Sequence, residues 1–275
     1  MEPIETGTFL RRADGSRPGS LQVVSWNINR GLQLPGIIEF LSNASPDLVL
    51  LQEVDVNARR TRHQNVAREI ARALEMNYVF GREFHELTQG SPSSPAYHGQ
   101  ATLSRFPIDS SRILQFSRQS GFWRPRWFIP KLQTLQRRIG ARMGLISQIA
   151  WPQKPLIVYN LHLESRGGDE LRSSQLVEVI EDSEQFGPGM PVILGGDFNF
   201  DLSCEQASSV MNRAPMRNPF NSGNPCPTVV RAGRGRARTI DWILVRGPVG
   251  YRNPELHADV FASDHYPLSL TLQAT

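Results

Sequence analysis

Two carboxamides, Asn27 and Asn29, leave the end of an apolar run at residues 21–26. They are two apart, so an extended chain points both to one side. A second apolar run, residues 46–51, ends in Gln52-Glu53. A carboxylate at the mouth of a buried strand is costly unless a cation or a hydrogen-bond donor meets it, and hard cations such as Mg²⁺ take carboxylate oxygens. Residues 156–161 deliver His162, followed by Leu163 and Glu164, and residues 191–194 lead through Gly195-Gly196 to Asp197-Phe198-Asn199. There the glycines permit a close turn and the spacing points both polar side chains one way. Asp241 interrupts the apolar run 240–245 and needs a partner, for which a protonated histidine is suited. Ser263-Asp264-His265 supplies an acid beside an imidazole just before the last apolar run. Each motif also has a purely structural reading: Asn as a turn residue, a lone histidine as packing, Asp241 as a satisfied core carboxylate. Together they offer ligands for a hard cation, fixed hydrogen-bond donors and an acid–imidazole pair.

The elements that must carry these residues are short. Residues 21–26, 48–51, 156–161, 192–194, 240–245 and 268–272 read as buried strands, being β-branched and bounded by Pro, Gly or Asp. Residues 62–76 and 170–185 carry apolar positions at helical spacing. Helices separate strands early and thin out late, which predicts an α/β sandwich rather than strict βαβ alternation. A chain of 275 residues can bury one sizeable core. One domain over residues 21–275 is expected, preceded by a flexible segment at 1–20. Residues 90–97 read as an exposed loop.

Hydrophobic residues make up 39% and charged residues 20%, as in a soluble globular chain. No apolar run reaches the roughly 20 residues of a membrane helix and the N-terminus does not resemble a secretory signal, so a cytoplasmic location is expected. Cys204 and Cys226 lack metal-type spacing. The net charge is +4. No acidic residue lies between Asp109 and Glu164 or between Glu205 and Asp241, while both stretches are rich in arginine. Arginine suits bidentate phosphate contact. Residues 118–140 mix arginines with Phe122, Trp123, Trp127 and Phe128 and read as a substrate-facing insertion, with cover for a sheet edge as the alternative.

In content and order, Asn27, Glu53, His162, Asp197-x-Asn199, Asp241 and Asp264-His265 resemble the endonuclease/exonuclease/phosphatase superfamily. The resemblance spans about residues 21–272. It implies a four-layer α/β/β/α sandwich of the deoxyribonuclease I-like type, with the motifs meeting at one rim. It implies a Mg²⁺-dependent phosphodiester hydrolase, with Mn²⁺ as the alternative ion. Glu53 would bind the metal, helped by Asn27, with Asp264 close by. Asp197 would orient or deprotonate water, while Asn199 and His162 donate to phosphate oxygens. His265, held by Asp241, would contact the phosphate or act as base. The stretch from Tyr159 to Gly167 is most similar to the branch of 5′ tyrosyl-DNA phosphodiesterases, yet Asn29 stands where that branch carries Asp. Nucleic acid is the expected partner, met by Asn29, Arg166, Arg124, Arg126, Trp123, Trp127 and Arg238. A phospholipid or inositol-phosphate hydrolase working at an anionic membrane surface is the second reading, and a non-catalytic phosphate-binding module the third. No protein partner is expected.

Overall fold

The computed structural model describes residues 3–10, 19–124, 136–151, 154–212, 214–220, 226–229 and 238–274. Their strands are β1 (Ile4–Thr8), β2 (Ser20–Arg30), β3 (Leu48–Val56), β4 (Asn77–Ser91), β5 (Ser94–Ser104), β6 (Ile108–Gln115), β7 (Arg138–Gly140), β8 (Met143–Ile149), β9 (Leu156–His162), β10 (Val192–Asp197), β11 (Asp241–Arg246), β12 (Val249–Leu256) and β13 (Leu268–Ala274). The helices are α1 (Leu34–Ala44), α2 (Val66–Ala73), α3 (Asp169–Glu184) and α4 (Glu205–Met211). An eight-stranded sheet runs β1-β4-β5-β3-β2-β13-β12, with β7 added to β4, and a five-stranded sheet runs β11-β10-β9-β8-β6.

Alternation along each strand divides its side chains between two layers. Leu21, Val23, Leu48 and Leu50 face Val158, Ile193, Ile243 and Val245 in the core between the sheets. On the other face of the larger sheet, Val24, Trp26 and Ile28 pack against Ile37 and Leu41 of α1 and Val66 and Ile70 of α2. Tyr159, Leu161, Leu194 and Trp242 do the same for the smaller sheet against Leu176 and Val179 of α3 and Ala207 of α4. The layers are therefore helix, sheet, sheet, helix, as the sequence implies.

Local chemistry sets the helix limits. Asn65 caps α2 by accepting from the Arg68 N–H at 3.0 Å. Pro35 opens α1, which stops at Ser45 in the left-handed region.

Three expectations are corrected. The segment before residue 21 is not wholly a flexible lead: Ile4–Thr8 pair antiparallel with Asn77–Gly81 of β4, and Glu5 accepts from Tyr78 Oη at 2.7 Å. Residues 90–97 close a long hairpin of β4 and β5, paired out to Ser91 and Ser94, rather than forming a loop. Helix α1 has no counterpart among the expected helices.

The hairpin is held by buried charge. Asp55 accepts from Arg60 Nε at 2.6 Å, from Arg60 Nη2 at 2.8 Å and lies 2.8 Å from His98 Nδ1, while Glu86 pairs with both Arg60 and Arg138. Removing one partner of such a set leaves the others buried without compensation. Asp55→Asn is therefore expected to cost about 3 kcal/mol in urea unfolding. A cost below about 1 kcal/mol would show the network to be dispensable.

Candidate active site

Three neighbouring strands of the smaller sheet end on one rung. Asp197 closes β10, paired on one side with Asp241 of β11 and on the other with His162 of β9. All three point inward. From the larger sheet, Asn27 of β2 stands opposite Gln52 of β3, and Asn27 Nδ2 donates to Asp197 Oδ2 at 3.1 Å. The two sheets are pinned beneath the rim, where Gln52 Nε2 donates to Asn160 Oδ1 at 2.8 Å and Asn160 Nδ2 donates to the carbonyls of Leu51 and Ala101 at 3.1 and 2.9 Å.

Gly196 sets the position of Asp197. Its φ is +142°, and a Cβ there would stand 1.9 Å from the Leu161 carbonyl oxygen. Gly196→Ala therefore drives β10 off β9 at the residue before the site. An expected loss on the order of 4 kcal/mol or more in thermal or urea unfolding checks this.

Asp197 is the hub. Its Oδ1 accepts from the Asn199 backbone N–H at 2.8 Å. Its Oδ2 lies 3.6 Å from His162 Nε2 and 3.9 Å from His265 Nε2. Burial, then the negative charge of Asp241, pushes its carboxyl up to about 6. His265 is held from behind, with Nδ1 at 2.9 and 3.0 Å from the two Asp241 oxygens. Burial opposes charge on this ring, but the charge and hydrogen bond of Asp241 outweigh it and raise His265 to about 10. Asp241 is fixed in turn by Thr228, whose Oγ1 donates to its Oδ2 at 2.6 Å and accepts from its backbone N–H at 3.1 Å.

Glu53 lies on the other side of the rim, where the pairing of β2 with β3 breaks register and Glu53 takes φ +53°. Burial opposes its ionisation. The charges of Arg30, Arg142 and the protonated His265 more than offset that and hold it at about 2. Among the described residues its carboxylate is met by Arg30 at 3.5 Å. An ionised, partly exposed carboxylate beside the Asn27 carboxamide is a donor set that fits a hard divalent cation. Asp197, Asp241 and His265 also place one ligand atom each within 4.8 Å of one another. A protonated His265 bonded to Asp241 has no lone pair to give a metal, so that trio reads as an ion-paired cluster.

The other expected contacts are distributed less evenly. Asp264 is exposed, beside Ser263 Oγ at 3.4 Å. Asn29 turns back onto the strand end, its N–H on Asn27 Oδ1 at 3.1 Å and its own Oδ1 accepting from Arg30. Asn199 spends one amide hydrogen on the Leu163 carbonyl at 3.1 Å. Arg238 braces the Asn199 carbonyl at 2.9 Å. Arg124 is exposed, while Arg126 and Trp127 lie outside the described residues. Trp123 is not a free stacking surface: its Nε1–H bonds Glu164 at 3.1 Å and its ring packs 5.1 Å from Phe84. The exposed aromatic of that stretch is Phe122, with the Arg166 guanidinium 4.8 Å over its ring.

Sequence reasoning did not single out Thr228, Glu83 or Arg142. Arg142 carried a faint signal, a charge directly before an apolar run with no acidic neighbour in sequence.

Comparison with known proteins places this rim in a family. The fold matches an endonuclease/exonuclease/phosphatase from Beutenbergia cavernae (TM-score 0.68, 17% identity, 93% of this chain and 72% of that one). It also matches one from Bacteroides vulgatus (0.68, 15% identity, 93% and 99%). A third match is D. rerio TDP2 complexed with single strand DNA product (0.65, 20% identity, 93% and 99%). Among curated proteins none matches by sequence. The model of the Endonuclease/Exonuclease/phosphatase family matches residues 24–265. The chain belongs to that family and is a hydrolase of phosphate-ester bonds.

Proposed function

We propose that this hydrolase is a Mg²⁺-dependent phosphodiesterase acting on nucleic acid, with single-stranded or 5′-blocked DNA ends as the first substrates to try. The observation that carries the chemistry is the cluster around Asp197. One carboxylate is ringed by the donors of Asn27, Asn199, His162 and His265.

In the proposed reaction Asp197 takes a proton from the attacking water. Asn27 and the Asn199 N–H aim its oxygens, leaving little freedom to lose on reaching the transition state. His265, protonated and backed by Asp241, donates to a non-bridging oxygen as charge builds there, and His162 donates to a second. Prealigned donors of this kind supply most of the barrier reduction in charge-developing reactions. Since His265 holds its proton at neutral pH, the role of base falls to Asp197. Glu53 and Asn27 would hold Mg²⁺, with Asp264 nearby, and the bound ion supplies Lewis-acid stabilisation of phosphate charge.

Nucleic acid is favoured over lipid by the surface that Phe122 and Arg166 form. Phe122 is exposed under the Arg166 guanidinium, and edge-packed on Trp123 at 4.7 Å. An arginine on an aromatic face is a platform for unpaired bases. The TDP2 match bound to single strand DNA product supports the same reading. The test is parallel assay, with and without Mg²⁺, on 5′-tyrosyl single-stranded DNA, sphingomyelin vesicles and an inositol polyphosphate. Metal-dependent turnover of the DNA alone, with binding that weakens steeply between low and moderate salt, is the expected result. Turnover of vesicles instead would replace nucleic acid with lipid.

A further inference from the structure

Arg142 precedes β8 and is 3% exposed. Its Nη1 stands 2.7 Å from His162 Nδ1 and 3.1 Å from Glu83 Oε2, and its Nη2 donates to Ser165 Oγ at 3.2 Å. The Gln119 side chain brackets its main chain, accepting from the N–H at 3.2 Å and donating to the carbonyl at 2.8 Å. The guanidinium also lies 5.3 Å from the Phe84 ring centroid. Arg142 is thus fixed from several directions.

A guanidinium carries five N–H donors, no acceptor, and does not lose its charge in proteins. The imidazole nitrogen 2.7 Å from it must therefore be the accepting one. A neutral ring that accepts at Nδ1 carries its hydrogen on Nε2, and Nε2 is the atom that faces Asp197 at 3.6 Å. Burial and then the Arg142 charge both disfavour the imidazolium. Glu83 Oε2 lies 3.7 Å from Nδ1 behind the arginine. Burial pushes the Glu83 carboxyl up to about 7 against the opposing charge of Arg142; without Arg142 an ionised Glu83 would accept from an Nδ1–H, so the guanidinium is what excludes that tautomer.

We propose that Arg142 is a positioning residue, locking His162 in its Nε2–H tautomer so that the ring serves as a fixed hydrogen-bond donor into the site and never as a proton acceptor there. The catalytic consequence rests on the hydrolase reading above; the tautomer itself does not.

Nitrogen-15 NMR of protein labelled in its six histidines tests this without substrate. The His162 ring signals are identified by their loss in His162→Gln. At neutral pH the wild-type ring is expected to be singly protonated, on Nε2; Arg142→Met, followed upward in pH until Glu83 ionises, is expected to move the proton to Nδ1, while Arg142→Lys keeps the wild-type tautomer throughout. An Nδ1–H or doubly protonated ring in the wild type overturns the proposal even if the Met variant fails to fold. An unchanged tautomer in a folded Arg142→Met does the same. With the p-nitrophenyl ester of thymidine 5′-phosphate as probe, Arg142→Met is expected to lose on the order of 10²-fold in kcat with KM little changed, the loss typical of one misdirected donor. Wild type inert on that probe and on the three substrates above would count against the hydrolase reading and leave the tautomer result standing.

Discussion

Asp197→Asn is expected to lower kcat by about 10³-fold while the chain stays folded. The replacement keeps the shape and still lets Oδ1 accept from the Asn199 N–H, but it removes the one group at the hub able to take a proton from water. It also turns the oxygen that receives the Asn27 amide into an NH₂ group, or forces the amide to flip, so the water loses its aim as well as its base. The wild-type pH profile carries the same signature. Asp197, pushed up to about 6 by burial and by Asp241, must lose its proton to act, so kcat/KM rises with pH through that range. His265, raised to about 10 against the cost of burial by Asp241, must keep its proton to donate, so the rate falls again on the alkaline side. The free-enzyme profile is therefore a bell with a plateau between, and the positive charge of bound Mg²⁺ shifts both limbs to lower pH. Asp197→Asn loses the acid limb and retains the alkaline one. If the variant keeps more than about a tenth of wild-type kcat, Asp197 is not the base, because general-base removal costs at least about 10²-fold.

Much of this site is legible in the sequence for one physical reason. Each central strand is apolar on both faces because it is covered by a helix layer on one side and the second sheet on the other, so the point where polarity begins marks the rim. Asn27, Glu53, His162, Asp197 and Asp241 are found that way. The β4–β5 hairpin hides from the same reasoning. Its inward positions include Glu83, Glu86, His98 and Gln100, all buried, and burial of paired charge erases the hydrophobic alternation that identifies a strand. Residues 90–97 read as loop because Ser, Pro and Gly are turn formers, yet here they finish a hairpin whose ends are already paired. Arg142 is illegible for a different reason. Its partners Glu83, His162 and Ser165 come from separate parts of the chain, and only the packing of β4 against β8 and β9 makes them neighbours. Trp123 shows the converse error: an aromatic beside arginines suggests a stacking surface, but its indole N–H is spent on Glu164, and the exposed ring is its neighbour Phe122.

Glu53→Gln is expected to abolish metal-dependent turnover and to weaken Mg²⁺ binding by about 100-fold or more, since even outer-shell changes cost 10–100-fold. The carboxylate is the anion at the rim that no hydrogen bond of the described residues engages, and the cationic groups around it hold it ionised at about 2. Those same groups disfavour a second cation. Arg30 stands 3.5 Å from Glu53 and also bonds Asn29, so a metal reaching Glu53 must compete with a guanidinium that is already there. Asn29 contributes no charge to offset the competition. Arg30→Ala should accordingly tighten Mg²⁺ binding, where Glu53→Gln loosens it. Metal-induced thermal stabilisation reads both without any substrate: at 100 times Kd a ligand specific for the folded state adds about 2.7 kcal/mol, and the concentration needed for a given shift should fall in Arg30→Ala and rise in Glu53→Gln. A Glu53→Gln variant that Mg²⁺ stabilises as well as it does the wild type would move the metal away from Glu53, to the Asp197 and Asp241 carboxylates, and His265 would then have to give up its proton to make room for the ion.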